Sequence, residues 1–457
     1  MTTQTPAPAP APVPGAPALS EHLQDLAAFV QASPSSFHAA AEVARRLEAA
    51  GFTRLTEADG FPAAPGGYVV VRDGAVVAWL VPESVGGADG GQDSAVPVFR
   101  ILGAHTDSPG LKLKPRPTTT AHTWHQAAVE VYGGALLNSW LDRELRMAGR
   151  LVLRGPGGSP VERLTATGPV ARVPQLAIHL DRDANRGLAL DRQQHVQPVW
   201  GAGRPQDADV LALLAEHTEG GPVDPARILG HDVVLADAQP PAVFGGDGEL
   251  FASGRLDNLS SVHAGLTALL REVEAVEAGR HVAVLAAFDH EEVGSRTRSG
   301  AAGPFLEDVL VRVDAALGRT GAGHRRALAA SVCLSADAGH LVHPNYPGHH
   351  DPVHQPVPGG GPLLKLNADQ HYATDAVGAG LWAEACARAG VRHQEFVSNN
   401  RVPCGSTIGP ITAARLGIRT VDVGTPLLSM HSARELCGTE DPGHLATAVT
   451  AFFGGVR

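Results

Sequence analysis

The chain has 457 residues, of which 44% are hydrophobic and 18% are charged, and its formal net charge is −11. This length predicts two or three domains, and the negative charge without a basic run argues against nucleic acid or an anionic membrane as the partner. The four cysteines show no Cys-x-x-Cys spacing, and no apolar run reaches membrane-spanning length, so we expect a cytoplasmic protein with reduced thiols.

The N-terminal part predicts a tail, two helices and the first strands of an α/β domain. Residues 1–17 are almost entirely Thr, Pro and Ala, a composition typical of disorder, and they lack the basic and apolar regions of a signal peptide. Ser20 can cap a helix with one apolar face, and a second helix is expected over 37–50. Asp73-Gly74 between two apolar runs indicates a β-hairpin, and 98–103 is typical of a buried strand.

The pattern changes between residues 115 and 247, where strong helical periodicity is scarce apart from 210–216 and Pro and Gly are frequent. Several short stretches are β-like, among them 128–132, 149–153 and 175–180. We therefore predict a β-rich domain over 115–247, inserted into an α/β domain that comprises 18–114 and 248–457.

The α/β pattern then returns and continues to the end of the chain. We expect a helix after Asp257, buried strands over 282–288, 331–334 and 419–423, a helix over 374–389 and a closing helix that ends near Phe453.

The acidic pair Glu291-Glu292 follows the continuous apolar run 282–288, which is typical of a strand in a parallel sheet. Open α/β sheets bind their ligands at the carboxyl ends of such strands. A Glu-Glu pair is more often a solvated loop, so the pair alone does not decide between a site and a surface.

Other strand ends strengthen the interpretation of a site. Metal-competent side chains stand at or just after four predicted strands: His105, Glu292, Asp337 and His431. Asp257, in a loop before a helix, can join them. Two imidazoles and three carboxylates without a thiolate suit one or two divalent ions such as zinc, manganese or cobalt. Glu291 is then available to take a proton from water, and Asp107 can accept the second ring N–H of His105.

Five ordered motifs resemble those of the aspartyl aminopeptidases, the M18 family of metallopeptidases. They are His105-Thr106-Asp107-Ser108-Pro109, Gly254-Arg255-Leu256-Asp257-Asn258, Asp289-His290-Glu291-Glu292-Val293-Gly294-Ser295, Ser335-Ala336-Asp337 with His343-Pro344-Asn345-Tyr346, and Met430-His431-Ser432. The likeness covers essentially the whole chain after the tail. It implies a three-layer α/β/α zinc-peptidase domain with an inserted β-rich dimerisation domain.

The resemblance also implies roles for the site residues. One ion belongs to His105 and Asp337, the other to Glu292 and His431, with Asp257 as the bridge and Glu291 as the general base. The family removes N-terminal Asp or Glu from peptides and forms tetrahedral dodecamers built from dimers.

Three further residues match the family outside the metal ligands. Lys365 and Tyr372 correspond to residues that line the substrate pocket, and His179 corresponds to a histidine that reaches into the active site of the neighbouring subunit. One departure is visible, because His371 stands where the family usually has an arginine.

Three rival interpretations remain at this point. A metal-dependent deacylase or carboxypeptidase would use the same metals and base. A cysteine hydrolase built on Cys404 and His431 would leave the carboxylates unexplained. A non-catalytic assembly protein would be expected to have lost a ligand or the base, and none is missing.

Overall fold

The computed structural model describes residues 20–85, 98–274 and 281–455. The predicted disordered tail, 1–17, lies outside these ranges. The described ranges contain nine α-helices: α1 (Glu21–Ala32), α2 (Ser36–Ala49), α3 (Val210–Glu216), α4 (Leu256–Glu274), α5 (Phe305–Ala316), α6 (Ala322–Ala330), α7 (Ala376–Ala389), α8 (Ile408–Leu416) and α9 (Asp441–Phe453). None of these helices is long and apolar enough to cross a membrane.

The described residues also form 21 strands. They are β1 (Thr53–Leu55), β2 (Gly66–Arg72), β3 (Ala75–Val81), β4 (Val98–His105), β5 (Gly110–Ala121), β6 (Trp124–Tyr132), β7 (Glu144–Arg154), β8 (Pro160–Ala166), β9 (Ala171–Arg172), β10 (Val199–Ala202), β11 (Ile228–Asp237), β12 (Ala242–Phe244), β13 (Leu250–Ser253), β14 (His281–Phe288), β15 (Val332–Ala336), β16 (Gly339–His340), β17 (Leu363–Lys365), β18 (Gln394–Phe396), β19 (Arg419–Gly424), β20 (Pro426–Leu427) and β21 (Glu435–Gly438).

Nine strands form the central sheet in the order β1-β2-β3-β14-β4-β15-β19-β17-β18. Its four middle strands, β14, β4, β15 and β19, run parallel, so their carboxyl ends meet at one edge. One face packs against α1, α2, α4, α7 and α9, and the other packs against α5, α6 and α8. This arrangement confirms the three-layer α/β/α prediction.

The apolar run of β14 is continuous because both of its faces are covered. Leu285 and Ala287 belong to the core beneath α4 and α9, whereas Val284 and Phe288 belong to the core beneath α5. Covered faces on both sides are the usual reason for an unbroken apolar strand in a parallel sheet.

A second sheet has seven strands in the order β11-β5-β6-β10-β9-β7-β8, and β11 also pairs with β7, so the sheet closes on itself. Its strands lie between Gly110 and Asp237, which places its first strand ahead of residue 115. The sequence hides this start because Pro115 and Pro117 interrupt β5. They occupy an unpaired bulge between Leu113 and Thr118, where no ladder N–H is needed.

The predicted β-like stretch 175–180 is wrong, because these residues form an exposed connection that ends in a turn. The Gln175 N–H binds Asp142 and the Leu180 N–H binds the Ala177 carbonyl, so the backbone is paired locally. Apolar alternation produces a strand only where a neighbouring strand offers an edge, and here none of the described strands pairs with it.

Candidate metal centre

The carboxyl edge of the central sheet gathers the predicted site residues. His105 ends β4, Glu291 and Glu292 form a turn of 3₁₀ helix after β14, and Asp337 follows β15 directly. His431 lies in the loop after β20. The structure thus brings together all of the strand-end side chains that the sequence nominates.

Asp257 stands between the two histidines. Its Oδ1 lies 3.3 Å from His105 Nε2, and its Oδ2 lies 3.4 Å from His431 Nε2. Asp337 Oδ1 is 3.4 Å from His105 Nε2, and Glu292 Oε2 is 3.5 Å from His431 Nε2. Three groups of possible ligands result, and Asp257 belongs to two of them. They are His105 with Asp257 and Asp337, His431 with Asp257 and Glu292, and His105 with Glu291 and Glu292.

The chemistry of these groups fits divalent cations. Zinc bonds of about 2.0–2.1 Å in a tetrahedron place neighbouring ligand atoms about 3.3–3.4 Å apart, close to the observed separations. Asp257 Oδ1 and Glu292 Oε1 are buried oxygens without a hydrogen-bond donor. Buried carboxylate oxygens normally have partners, so these two oxygens fit a bound cation, which would supply the missing contacts.

Each histidine is oriented through its other ring nitrogen. His105 Nδ1 lies 3.0 Å from the Asp107 backbone carbonyl, and His431 Nδ1 lies 3.1 Å from the Gly134 carbonyl. If Nδ1 carries the proton in both rings, both Nε2 atoms are free to act as ligands. The sequence predicts the Asp107 carboxylate as acceptor, but its Oδ1 is 3.4 Å from His105 Nδ1 and the carbonyl is nearer.

The Asp107 carboxylate instead holds the acidic turn. Its oxygens accept the backbone N–H groups of Glu291 at 3.0 Å and Glu292 at 3.1 Å, and the Tyr132 hydroxyl at 2.7 Å. His290, directly before the turn, has a left-handed backbone with φ 63°. The turn directs two adjacent carboxylates to different positions, which allows them different tasks.

Burial and mutual repulsion disturb the acidities of the cluster. Burial raises the pKa of Glu291 to about 7, with help from the Asp337 and Asp107 charges. Burial and the Asp257 charge raise the pKa of Glu292 well above its ordinary value. Burial would also raise the pKa of Asp257, but the adjacent rings of His105 and His431 outweigh it and lower that pKa. Ionised carboxylates this close together repel one another, so the cluster favours positive charge beside it.

A cavity of about 220 Å³ opens beside these groups and is also lined by Lys365 and Tyr372. Lys365 is only 1% exposed. Its Nζ donates to the Ala338 carbonyl at 3.0 Å and lies 3.8 Å from Asp337 Oδ2 and 5.1 Å from the centre of the Tyr372 ring. The cavity therefore holds one buried ammonium group next to the carboxylate cluster.

Two residues of this region escape sequence reasoning. His340 lines the cavity, and its position three residues after Asp337 is the only signal that marks it. Glu435 accepts backbone N–H groups from Asp257 and His431. A single Glu in a short strand carries no sequence signal, because it looks like an ordinary exposed residue.

Other nominated residues lie apart from the cavity. His179 is exposed in the turn over 175–180, and His371 is exposed as well; neither lines the cavity. Cys404 packs beside Tyr372 and Phe396. The ring nitrogens of His431 already face Gly134 and two carboxylates, so the geometry gives no support to a Cys404–His431 pair.

Comparison with known proteins places the chain in a family. The profile described as "Aminopeptidase I zinc metalloprotease (M18)" matches residues 29–453. A protein of Streptomyces avermitilis named "Probable M18 family aminopeptidase 2" is 52% identical over 437 residues, which cover 95% of this chain and 98% of the relative. The chain therefore belongs to the M18 family of zinc metalloprotease aminopeptidases, and the resemblance found in the sequence is confirmed.

Solved structures agree with this assignment. One chain in the cryo-electron microscopy structure of the Ape4 and Nbr1 complex is similar to this protein. The TM-score is 0.89 and the identity is 32%, over 95% of this chain and 85% of that one. The S. cerevisiae mApe1 dodecamer is similar with a TM-score of 0.82 and 28% identity, over 95% of this chain and 96% of that one.

Proposed function

We propose that this M18 aminopeptidase uses two divalent ions, with zinc as the first choice and manganese or cobalt as alternatives, to remove N-terminal Asp or Glu from peptides. The observation that carries the proposal is the position of Asp257, whose two oxygens face two different histidine groups. A carboxylate shared in this way is what a pair of ions about 3.5–4 Å apart requires.

The proposed ligands follow the two groups. His105 and Asp337 would hold one ion, Glu292 and His431 would hold the other, and Asp257, which belongs to both of these groups, would contribute to each. When bound, such ions polarise the scissile carbonyl and make a nearby water more acidic.

Glu291 is the proposed general base. It offers a carboxylate oxygen within 4.8 Å of ligand atoms of His105 and Glu292, and it belongs to neither of the two groups that contain Asp257. A pKa of about 7 allows it to accept a proton from water and return it to the leaving amine near neutral pH.

Lys365 is proposed to favour an acidic side chain at the N-terminal residue. Its buried ammonium group has one hydrogen bond, to Ala338, and it lines the same cavity as the ligands. A compact cation in a buried cavity attracts a carboxylate and disfavours an apolar side chain that cannot pair with it. His371 lies outside this cavity, so the missing arginine does not change its lining within one chain.

We further propose that the chain forms homo-oligomers, as tetrahedral dodecamers built from dimers. One of the similar structures is a dodecamer. His179 is exposed between Ile178 and Leu180, which are 47% and 76% exposed, and such an apolar segment suits cover by a second subunit. In that arrangement His179 donates a hydrogen bond to the substrate in the neighbouring site. The cytoplasmic location stays a prediction, and the free cysteines are compatible with it.

A panel of peptides that differ only in the N-terminal residue tests this function. Each peptide is assayed after chelator treatment and again after addition of zinc, manganese or cobalt. We expect cleavage of Asp and Glu peptides to exceed that of Ala and Leu peptides and to depend on added metal. Release of a C-terminal residue or of an acyl group instead would support the carboxypeptidase or deacylase alternative, and unchanged activity after complete metal removal would contradict the metal mechanism.

A further inference from the structure

The loops that carry Asp257 and His431 leave the same end of one small sheet. Asp257 lies within the bounds of α4, but its backbone is not helical, so it is counted here with the loop before the helix. Strands β13 and β21 are antiparallel neighbours, and Ser253 at the end of β13 pairs with Glu435 at the start of β21. The first loop begins after Ser253 and the second ends before Glu435. Glu435 therefore occupies the point where both ligand loops meet the sheet.

The two loops also touch directly. A Cβ at position 254 would lie 2.9 Å from the Ala433 carbonyl oxygen, so only glycine allows this approach. A change in the position of one loop must therefore move the other, and whatever fixes their separation also fixes Asp257 relative to His431.

The carboxylate of Glu435 spans both loops. Its Oε2 accepts the backbone N–H of Asp257 at 3.0 Å, and its Oε1 accepts the backbone N–H of His431 at 2.8 Å. The residue is 2% exposed. Both oxygens are thus used on the backbone of two proposed metal ligands, and buried contacts of this kind are costly to lose.

The loops need such support because their backbone is unfavourable. Arg255, Ser429 and His431 have φ values of 63°, 57° and 66°, in the left-handed region that favours glycine. Residues in this region keep their conformation only where surrounding contacts hold them. The hydrogen bond to Glu435 acts on the peptide of His431 itself.

We propose that Glu435 is a positioning residue for metal binding, which holds Asp257 and His431 at the separation that a divalent ion needs. The inference rests on the ligand roles given under the proposed function. Glu435 contacts the backbone of the ligands rather than the ion or the substrate, so its effect is expected in metal affinity first. Outer partners of metal ligands typically change metal affinity or activity by about 10- to 100-fold.

A matched control lies just beyond the other end of β21, at the first residue of α9. Asp441 is fully buried, and its carboxylate accepts the backbone N–H groups of Gly438 and Gly359 at 3.1 Å and Gly361 at 3.3 Å. It therefore does for glycine backbone what Glu435 does for ligand backbone, without a contact to a proposed ligand.

The experiment compares zinc affinity and thermal stability in the wild type, Glu435→Gln and Asp441→Asn. Each amide keeps one acceptor oxygen and turns the other into a donor that faces an N–H group. Both variants are expected to lose stability. Zinc affinity, measured by competition with a chromophoric chelator, is expected to fall about 10- to 100-fold in Glu435→Gln alone. Excess zinc should then restore much of its kcat.

Three results would overturn the inference. Glu435→Gln could bind zinc as tightly as the wild type, Asp441→Asn could lose as much affinity as Glu435→Gln, or Glu435→Gln could fail to fold while Asp441→Asn folds, which would make Glu435 a requirement of the fold alone. The proposed function fails separately, and visibly, if the wild type itself binds no zinc or needs none for activity.

Discussion

The carboxyl edge of the central sheet and the exposed segment 175–180 differ in how much of their environment one chain provides. At the sheet edge, His105 and Asp257 are 1% and 3% exposed and their partners all come from the same chain. In the segment, Leu176 and Leu180 are 57% and 76% exposed, and the described chain covers neither. Under the proposed function, the metal chemistry belongs to the single subunit, whereas His179 completes the substrate site only in the assembly.

Removal of Asp257 should cause the largest loss of activity among these variants, and it tests the metal centre of the single subunit. Asp257→Ala takes away the carboxylate that both histidine groups share, and with it the negative charge that would offset repulsion between two bound dications. We expect activity to fall by more than about 10⁴-fold, beyond the range for loss of a general base. Metal analysis should find fewer than two ions per chain, and two full equivalents in this variant would contradict the bridging role.

Glu291→Gln also tests the metal centre of the single subunit, and it separates proton transfer from metal binding. The amide cannot accept the proton from water, so kcat should fall by about 10²–10⁴-fold. Metal content and thermal stability should match the wild type, because the backbone N–H of Glu291, not its side chain, is held by Asp107. Wild-type turnover in this variant would place the base elsewhere.

His179→Ala tests whether a neighbouring subunit contributes to the substrate site. Loss of one hydrogen-bond donor to the developing oxyanion typically lowers kcat by about 10²–10³-fold. Because His179 is exposed in its own chain, stability of the isolated subunit should not change.

A mixing experiment then decides whether His179 acts across subunits. Inactive His179→Ala and Glu291→Gln chains are exchanged, and mixed dimers are verified by mass measurement. Each mixed dimer has one site with both residues intact, so activity should return towards half of the wild-type value. Verified mixing without recovered activity would show that His179 does not act in the neighbouring site.

Lys365→Met should have the smallest overall effect and the most selective one. Methionine keeps much of the buried stem and removes the charge, and a hydrogen bond to a charged group contributes about 1.5–3 kcal/mol. We expect kcat/KM for Asp peptides to fall about 10- to 100-fold, with little change for Ala peptides. Equal losses on both peptides would assign Lys365 to general binding or to structure.

The contrast between the sheet edge and the segment 175–180 also explains which features could be predicted from the sequence. His105 and Asp337 were predictable because apolar strands of a parallel sheet end directly before them, and the carboxyl ends of such strands must meet. Glu435 was not, because its role depends on which two loops flank β21, and no local pattern encodes that.

The wrong strand over 175–180 and the missed start of β5 also have local causes. Residues 175–180 alternate as a strand does, but a strand needs a neighbouring edge and none of the described strands supplies one. The two prolines of β5 suggest a break, yet they occupy a bulge within one continuous strand. Sequence patterns therefore predict a strand well where the layers that cover it lie within the chain, as for β14. They predict it poorly where pairing depends on backbone that is distant in the sequence.

The proposed function requires that two ions share Asp257 and that Glu291 is not one of their required ligands. Native mass spectrometry of zinc-loaded wild type and Glu291→Gln tests it most directly, with activity measured on the same samples. We expect two zinc ions per chain in both proteins and activity only in the wild type. One ion per chain in the wild type, or loss of an ion in Glu291→Gln, would contradict it.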